Sequence, residues 1–263
     1  MIKNKLLSKI LGREYLLVNS IDYPRHNHEI YSNGDLIIAV KEFKDEKYFQ
    51  KESFFYELFE EKSILKTPKL YLAQKPFFVT EFIDSDYEIN LGNALIDWGR
   101  VHSYFMKKDF SKLKIEEINN KNLSEFVLSN PNLFGENYKP IAERLKIKIN
   151  VDLQTLVHGD LYKANILSKK GKNYYIDFEF SGKGHPARDL SLILLNGYDK
   201  EKVFTIYKNN INFDYLQLEE DGITYALMRG VDLIAHLNKM PFDQDKKRKI
   251  HSRFINSMNK LIQ

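Results

Sequence analysis

The sequence predicts an α+β fold in which a small antiparallel sheet is followed by a mostly helical region. Residues 36–43 contain a β-branched run that follows the turn pair Asn33-Gly34, so they are predicted to pair with residues 30–31 in a hairpin. Apolar residues repeat at helical spacing across residues 91–105, which predicts an amphipathic helix. Two further amphipathic helices are predicted over residues 223–237 and 250–261.

The composition is typical of a packed globular protein. Of the 263 residues, 43% are hydrophobic and 13% are aromatic, which is enough for a substantial core. No Gly/Ser-rich linker, repeat or low-complexity segment divides the chain. The lack of cysteine rules out a disulfide framework, a thiolate nucleophile and a zinc–thiolate site.

Charge and hydropathy exclude several kinds of partner. The net charge is +4 and the basic residues are scattered, whereas a nucleic-acid-binding surface requires a concentrated basic stripe. The dense basic cluster at residues 246–249 is interpreted as a solvated helix face. No apolar run reaches transmembrane length, and residues 1–12 lack the apolar region of a signal peptide. We therefore expect a cytoplasmic protein with no nucleic-acid or membrane partner, and the sequence does not predict its oligomeric state.

Two short segments carry the residues expected to do chemistry. Residues 158–160, His-Gly-Asp, are followed by Asn165, and Asp177 follows residues 174–176, which are predicted to be a strand after a turn at residues 169–173. Phosphoryl transfer from a magnesium nucleotide needs a base that faces the acceptor and oxygen ligands for the metal. Each acidic residue alone is typical of a turn. Their combined spacing indicates a phosphoryl-transfer site.

These segments resemble the aminoglycoside phosphotransferase and choline kinase family, a branch of the protein-kinase-like fold. The resemblance is carried by His158-Gly159-Asp160 with Asn165, Ile176-Asp177-Phe178-Glu179, Gly184-His185-Pro186-Ala187-Arg188-Asp189-Leu190 and Trp98-Gly99-Arg100-Val101-His102. It spans roughly residues 41–195 and implies a bilobal kinase-like fold. An N-terminal nucleotide-binding lobe is expected at residues 1–83. A helical C-terminal lobe with the catalytic loop and the acceptor pocket is expected at residues 84–263.

The resemblance also implies residue roles. Asp160 is the predicted catalytic base, Asn165 and Asp177 are the predicted Mg²⁺ ligands, and ATP (or GTP) is the expected co-substrate. His158 and Asp189 are predicted to support the catalytic loop, Asp189 from the start of the following helix. A helix N-cap is an alternative role for Asp189 that is compatible with the first.

Lys41 ends the apolar part of the second hairpin strand, where the kinase pattern places a lysine that contacts the nucleotide phosphates. A glutamate on the next helix should orient it, and two candidates compete. At about 100° per residue the aromatic side chains of this helix surround Glu52, while Glu57 lies on the other side near Glu61. A charge on an inward face requires a partner. We therefore expect Lys41 to pair with Glu52.

The remaining nucleotide contacts have weaker sequence signals. Residues 77–83 read as a buried strand, and by resemblance the backbone of Glu81 and Ile83 would bind adenine. No Gly-rich phosphate loop occurs between Tyr15 and Tyr31. His26 and His28 are expected to be solvated on a turn, because no third metal ligand is near them in the sequence.

A small-molecule acceptor is expected, because only eleven residues separate Asp177 from Asp189 and a protein kinase has a long activation segment there. In the family the acceptor pocket is formed by C-terminal helices and an insert, here about residues 109–150. A polycationic aminoglycoside would require carboxylates in this pocket. The carboxylates available by sequence are Asp84, Asp86, Glu88, Asp214, Glu219, Glu220, Asp221 and Asp232.

We therefore predict a kinase that transfers the γ-phosphoryl group of Mg-ATP (or GTP) to a hydroxyl of a small polar acceptor. An aminoglycoside-type antibiotic is the leading acceptor. One alternative is a metabolic kinase acting on choline, homoserine, a sugar or a nucleoside, and another is a nucleotide-binding module without catalysis. The antibiotic assignment depends on the resemblance alone, because fold and catalytic loop are shared across acceptors.

Overall fold

The structure, a computed structural model, groups the chain into two compact units. The first unit comprises Met1–Asn90 and Lys163–Glu179, and the second comprises Leu91–Tyr162 and Phe180–Gln263. The first unit therefore includes residues 163–179, with Asn165 and Asp177, whereas the sequence predicts these residues in the C-terminal lobe at residues 84–263. The residues that the structure describes are 7–9, 11–86, 88–106, 108, 120–149, 152–240 and 242–263.

The first unit contains a five-stranded antiparallel sheet in the order β1-β2-β3-β5-β4. The predicted hairpin is confirmed, because β2 pairs with β3 and Gly34 in the turn between them has a φ of +91°. The strands are β1 Leu16–Asp22, β2 His26–Ser32, β3 Ile37–Phe43, β4 Leu70–Gln74 and β5 Phe77–Glu81.

Helix α1, Glu46–Lys62, follows β3 and brings its aromatic face into the core of the first unit. Asp45 caps its N-terminus by accepting a hydrogen bond from the Lys47 N–H, and Ser63 ends it in the left-handed region. The rings of Phe55 and Phe59 lie 6.0 and 5.2 Å from that of Phe178, which follows Asp177 in the chain. Aromatic packing thus fixes α1 against the segment that carries Asp177.

A second hairpin in the first unit consists of β7, Ile166–Lys169, and β8, Lys172–Tyr175. The predicted strand at residues 174–176 and the predicted turn at residues 169–173 have wrong boundaries. The turn needs only two residues, because Lys170 and Gly171 both adopt positive φ, as a tight hairpin requires. Ile176 leaves the strand, and its N–H donates to the Asn165 carbonyl at 3.2 Å.

The second unit is mostly helical, so the expected fold class is confirmed. A short pair of strands, β6 Thr155–Val157 and β9 Gly182–Gly184, flanks the predicted catalytic motif. The helices are α2 Leu91–Phe105, α3 Asn120–Ser129, α4 Pro131–Phe134, α5 Tyr138–Arg144, α6 Ala187–Leu195, α7 Lys200–Lys208, α8 Leu218–His236 and α9 Gln244–Ile262. Of the insert expected at residues 109–150, residues 109–119 and 150 lie outside the described residues.

Helices α6, α8 and α9 pack closely at Gly230. A Cβ at this position would lie 2.7 Å from Met258 Sδ and 3.0 Å from a methyl carbon of Leu195, so a side chain would require these two side chains to repack. All residues from Leu190 to Leu195 are buried, as the apolar sequence predicted. None of the described helices is both long enough and apolar enough to span a bilayer.

Candidate active site

Lys41 is the centre of a buried ion cluster in the first unit. It lies on β3, which pairs with β2 on one side and β5 on the other, and its side chain is 11% exposed. Its Nζ donates to Glu52 Oε2 at 2.6 Å and to Asp177 Oδ1 at 2.7 Å. The structure therefore brings Lys41 and Glu52 together, while Glu57 lies exposed on α1.

Burial and neighbouring charges shift the pKa values of Lys41 and Glu52 in opposite directions. Burial by itself lowers the pKa of Lys41, but the carboxylates of Glu52 and Asp177 together raise it above its usual value. Burial raises the pKa of Glu52, and the neighbouring ammonium group opposes that rise. A cation that is held charged in a mostly buried position is suited to bind phosphate oxygens.

Glu52→Gln is expected to weaken Mg-ATP binding roughly tenfold to a hundredfold, because a charge-assisted hydrogen bond that orients Lys41 is lost. Calorimetric titration with the Mg²⁺ complex of a non-hydrolysable ATP analogue measures this. Glu57→Gln is the matched control, since the same change is made on the exposed side of the same helix. Equal losses of affinity in the two variants would contradict the orienting role of Glu52.

Asp177 and Asn165 lie on neighbouring segments of the first unit. The hydrogen bond from Ile176 N–H to the Asn165 carbonyl joins these segments. Asp177 has a φ of +67°, an uncommon conformation for a residue other than glycine and one that recurs at functional sites. Asn165 is buried and the Asp177 side chain is 27% exposed. The two side chains supply the oxygen donors that magnesium prefers.

Arg25 and Glu179 form an ion pair that sequence reasoning missed. Arg25 lies between β1 and β2, and its Nη1 donates to Glu179 Oε1 at 2.7 Å. Glu179 is 5% exposed, and its second oxygen, Oε2, is buried without a hydrogen-bond partner among the described residues. Burial, with the nearby Asp177 charge, raises the pKa of Glu179. The loop between β1 and β2 has no Gly-rich pattern, and Arg25 is its cationic residue. That arginine is the sequence signal that could have identified this pair.

His26 and His28 lie in strand β2 and are partly buried, so the expectation of solvated histidines on a turn is wrong. The strand extends to His26 because its ladder with β3 continues to the pair His26–Phe43. Burial, assisted by the Lys41 charge, lowers the pKa of His26 to about 4. Burial also lowers the pKa of His28.

The low pKa of His26 makes the stability of the protein dependent on pH. Between its ordinary value near 6.5 and its folded value of about 4, the unfolded chain binds the proton more tightly, so stability falls as pH falls through this window. We expect wild type to lose more unfolding free energy than His26→Gln when urea denaturation is moved from pH 7 to pH 4.5. Identical losses would show that His26 titrates normally in the folded protein.

The two predicted hinge residues lie at the end of β5. Glu81 donates its N–H to the Lys69 carbonyl at 2.8 Å, and Ile83 is buried. A backbone contact from Glu81 to adenine would therefore use its carbonyl oxygen.

Asp189 organises the predicted catalytic loop within the second unit. Its carboxylate is fully buried and accepts hydrogen bonds from the N–H groups of His158 and Gly159, each at 2.8 Å. His102 Nε2 lies 3.1 Å from the same carboxylate, and the other ring nitrogen of His102 lies 2.5 Å from the Tyr207 hydroxyl. The N-cap of α6 is Pro186 rather than Asp189, so the alternative capping role does not apply.

The main chain at Gly159 turns in a way that requires glycine. Its φ is +79°, and a Cβ would lie 2.2 Å from the Phe180 carbonyl oxygen. His158 is buried, with its ring 5.4 Å from that of Trp98, and its carbonyl accepts a hydrogen bond from Ser181 Oγ at 2.9 Å. These contacts present Asp160, whose side chain is 17% exposed, at the end of a fixed loop.

Arg229 on α8 contacts Asp160, and sequence reasoning missed it. Its Nη2 lies 3.5 Å from Asp160 Oδ1, and its Nη1 lies 3.6 Å from Asp232 Oδ2. Helical periodicity identifies the apolar face of α8 and gives no signal for a polar residue between core positions.

The carboxylates considered for an acceptor pocket lie in different environments. Asp221 is buried in the core, where its Oδ2 lies 3.2 Å from the Tyr215 hydroxyl and 3.4 Å from His185 Nε2. Asp86 accepts a hydrogen bond from the Lys170 N–H at 2.8 Å. Asp232 is the candidate that shares Arg229 with Asp160.

Comparison with known proteins places this fold and these motifs among phosphotransferases. Residues 142–228 match the model of the phosphotransferase enzyme family APH. No curated protein sequence matches the chain at a significant level.

Several solved structures share the fold along almost the whole chain. A spectinomycin phosphotransferase bound to ADP and spectinomycin has 14% identity and a TM-score of 0.69, covering 99% of this chain and 97% of that one. A macrolide 2'-phosphotransferase has 13% identity and a TM-score of 0.64, with coverage of 95% and 94%. A choline kinase from Streptococcus pneumoniae has 15% identity and a TM-score of 0.60, covering 98% of each chain. At these identities the likeness shows the fold.

The match of residues 142–228 to the phosphotransferase family model confirms the expected enzyme class. The resemblance to the APH phosphotransferase family, drawn from the sequence motifs, is also confirmed.

Proposed function

We propose that the protein is a small-molecule kinase that moves the γ-phosphoryl group of ATP or GTP to a hydroxyl of a small polar acceptor. The acceptor oxygen forms a bond to the γ-phosphorus, and the bond from that phosphorus to the bridging oxygen of the departing nucleoside diphosphate breaks. The hydroxyl proton passes to the Asp160 carboxylate. Asp160 suits this role because Asp189 fixes the loop before it through two backbone hydrogen bonds.

The observation that carries the proposal is the Lys41 cluster, in which one buried ammonium group contacts Glu52 at 2.6 Å and Asp177 at 2.7 Å. Lys41 would bind the nucleotide phosphates while Glu52 keeps it oriented and charged. The backbone of Glu81 and Ile83 would bind the purine. ADP in the spectinomycin phosphotransferase structure supports a nucleotide co-substrate.

The donor set of the first unit fits magnesium. Asn165 and Asp177 would hold Mg²⁺, which when bound neutralises phosphate charge. No group of three or more His, Cys, Asp or Glu suited to a metal occurs in the part of the chain that the structure describes. Such a group is not needed, because magnesium in kinase sites takes one or two carboxylates together with phosphate oxygens and water. Glu179 Oε2, which is buried without a hydrogen-bond partner among the described residues, is a further oxygen atom two positions along the chain from Asp177.

The first acceptor candidate is an aminoglycoside-type antibiotic. It is supported by the motif resemblance and by the shared fold with a spectinomycin phosphotransferase and with an aminoglycoside phosphotransferase that has 18% identity. A protein of this kind would make bacteria that express it resistant to its substrate.

The second acceptor candidate is a metabolite such as a sugar, a nucleoside, homoserine or choline. The shared fold with a choline kinase supports a metabolic acceptor in general. A specific observation favours the uncharged members of this group, the sugar and the nucleoside, over choline and homoserine. The guanidinium group of Arg229 lies 3.5 Å from Asp160 and places positive charge beside the proposed base. That charge opposes an acceptor with ammonium groups next to its reactive hydroxyl.

The test is an ADP-release assay of the purified chain with Mg-ATP and Mg-GTP against aminoglycosides, choline, homoserine, sugars and nucleosides. A magnesium-dependent, acceptor-dependent release of nucleoside diphosphate is expected for one of these groups. Resistance of bacteria that express the chain to one aminoglycoside would select the first candidate. Tight nucleotide binding without turnover of any acceptor would instead indicate a non-catalytic nucleotide-binding module.

A further inference from the structure

Arg229 makes two long contacts in the second unit. Its side chain is 23% exposed, and it forms ion pairs with Asp160 at 3.5 Å and with Asp232 at 3.6 Å. Charge-assisted hydrogen bonds of arginine are about 2.7–2.9 Å long. The guanidinium group has five N–H donors, so two contacts of this length leave it able to bind a further oxygen atom.

Asp232 has two side-chain neighbours on α8. Arg229 contacts one of its oxygen atoms, and His236 Nδ1 lies 3.4 Å from the other. The three residues are three and four positions apart, so they line one face of the helix. An ammonium group that approached this face would meet Arg229 and would have to compete with both partners of Asp232.

We propose that Arg229 is an acceptor-binding residue, and that it selects acceptors with an oxygen substituent, rather than an amino group, next to the reactive hydroxyl. The inference rests on the proposed kinase function and names its substrate class: polyols, sugars and hydroxy acids. The reactive hydroxyl gives its proton to Asp160 as its oxygen bonds to the γ-phosphorus. The adjacent oxygen accepts a hydrogen bond from Arg229. An ammonium group in its place has no lone pair to accept that bond and repels the guanidinium group.

The experiment compares glucose with glucosamine, in which one hydroxyl is replaced by an ammonium group, and adds gluconate as a hydroxy acid and kanamycin as an amino sugar. ADP release is measured with saturating Mg-ATP at a pH where the amines are charged. For wild type we expect kcat/KM for glucose to exceed that for glucosamine roughly tenfold to a hundredfold, the range for a hydrogen bond to a charged group.

Arg229→Gln should bring the ratio of kcat/KM for glucose to that for glucosamine close to one, because kcat/KM for glucose falls. Arg229→Glu should reverse the ratio in favour of glucosamine. Arg248→Gln is the matched control, because Arg248 is an exposed arginine on α9 that contacts Asp245. This control should keep the wild-type ratio. Magnesium-dependent nucleotide affinity, measured in every variant, reports whether the fold is intact.

The proposal is overturned if wild type prefers glucosamine or kanamycin, if no oxygen-substituted probe stimulates ADP release, or if Arg229→Gln leaves the ratio unchanged. Release with amino acceptors alone would refute this inference and leave the kinase function standing. A chain that fails to bind Mg-ATP would refute the kinase function itself.

Discussion

Replacing Asp160 with asparagine is expected to lower kcat for phosphoryl transfer by about a hundredfold to ten-thousandfold, the usual contribution of a positioned general base. Asparagine keeps the size of the side chain and cannot accept the hydroxyl proton. The loop should keep its shape, because its hydrogen bonds to Asp189 come from the backbone of His158 and Gly159. Mg-ATP affinity should therefore change little.

Steady-state and single-turnover ADP release with the best acceptor from the screen measure this loss. Asp245→Asn, the same change on an exposed aspartate of α9, is the control and should behave like wild type. Turnover by Asp160→Asn at the wild-type rate would show that the hydroxyl proton leaves by another route.

Replacing Gly159 with alanine is expected to have the largest effect on stability. The left-handed backbone costs about 1–2 kcal/mol for a residue with a side chain. The new methyl group would also lie 2.2 Å from the Phe180 carbonyl oxygen, which the backbone can relieve only by moving the loop. Forcing extra volume into a packed site costs about 1–3 kcal/mol. We expect a total loss of about 2–5 kcal/mol in the free energy of unfolding, measured by urea denaturation, together with a loss of activity.

Gly171→Ala separates the two contributions. Gly171 has a φ of +71°, close to the +79° of Gly159, but a Cβ added at Gly171 would meet no atom within 4 Å. Replacing Gly171 with alanine should therefore lower the free energy of unfolding only by the cost of the left-handed backbone. If Gly159→Ala were no more destabilising than Gly171→Ala, close contact with Phe180 would not be what requires glycine in the catalytic loop.

Much of the first unit could be predicted because its signals are local. The Asn33-Gly34 turn fixes a hairpin through backbone conformation, and the aromatic periodicity of α1 places Glu52 on the inward face. The pairing of Lys41 with Glu52 follows, since a buried carboxylate needs a positive partner within reach. The prediction that His26 and His28 lie on a turn is wrong, because the length of β2 depends on its pairing with β3 and not on its own residues alone.

The β2–β3 hairpin, the amphipathic helices, the fold class and the phosphotransferase motif could be predicted from sequence alone, because backbone propensity, hydrophobic period and residue spacing are properties of short segments. Which distant side chains meet became clear from the three-dimensional arrangement. Arg25 reaches Glu179 across 154 positions of the chain, and Arg229 comes from a late helix to Asp160. Such contacts depend on how helices and strands pack, so the charge beside the proposed base cannot be read from the motif.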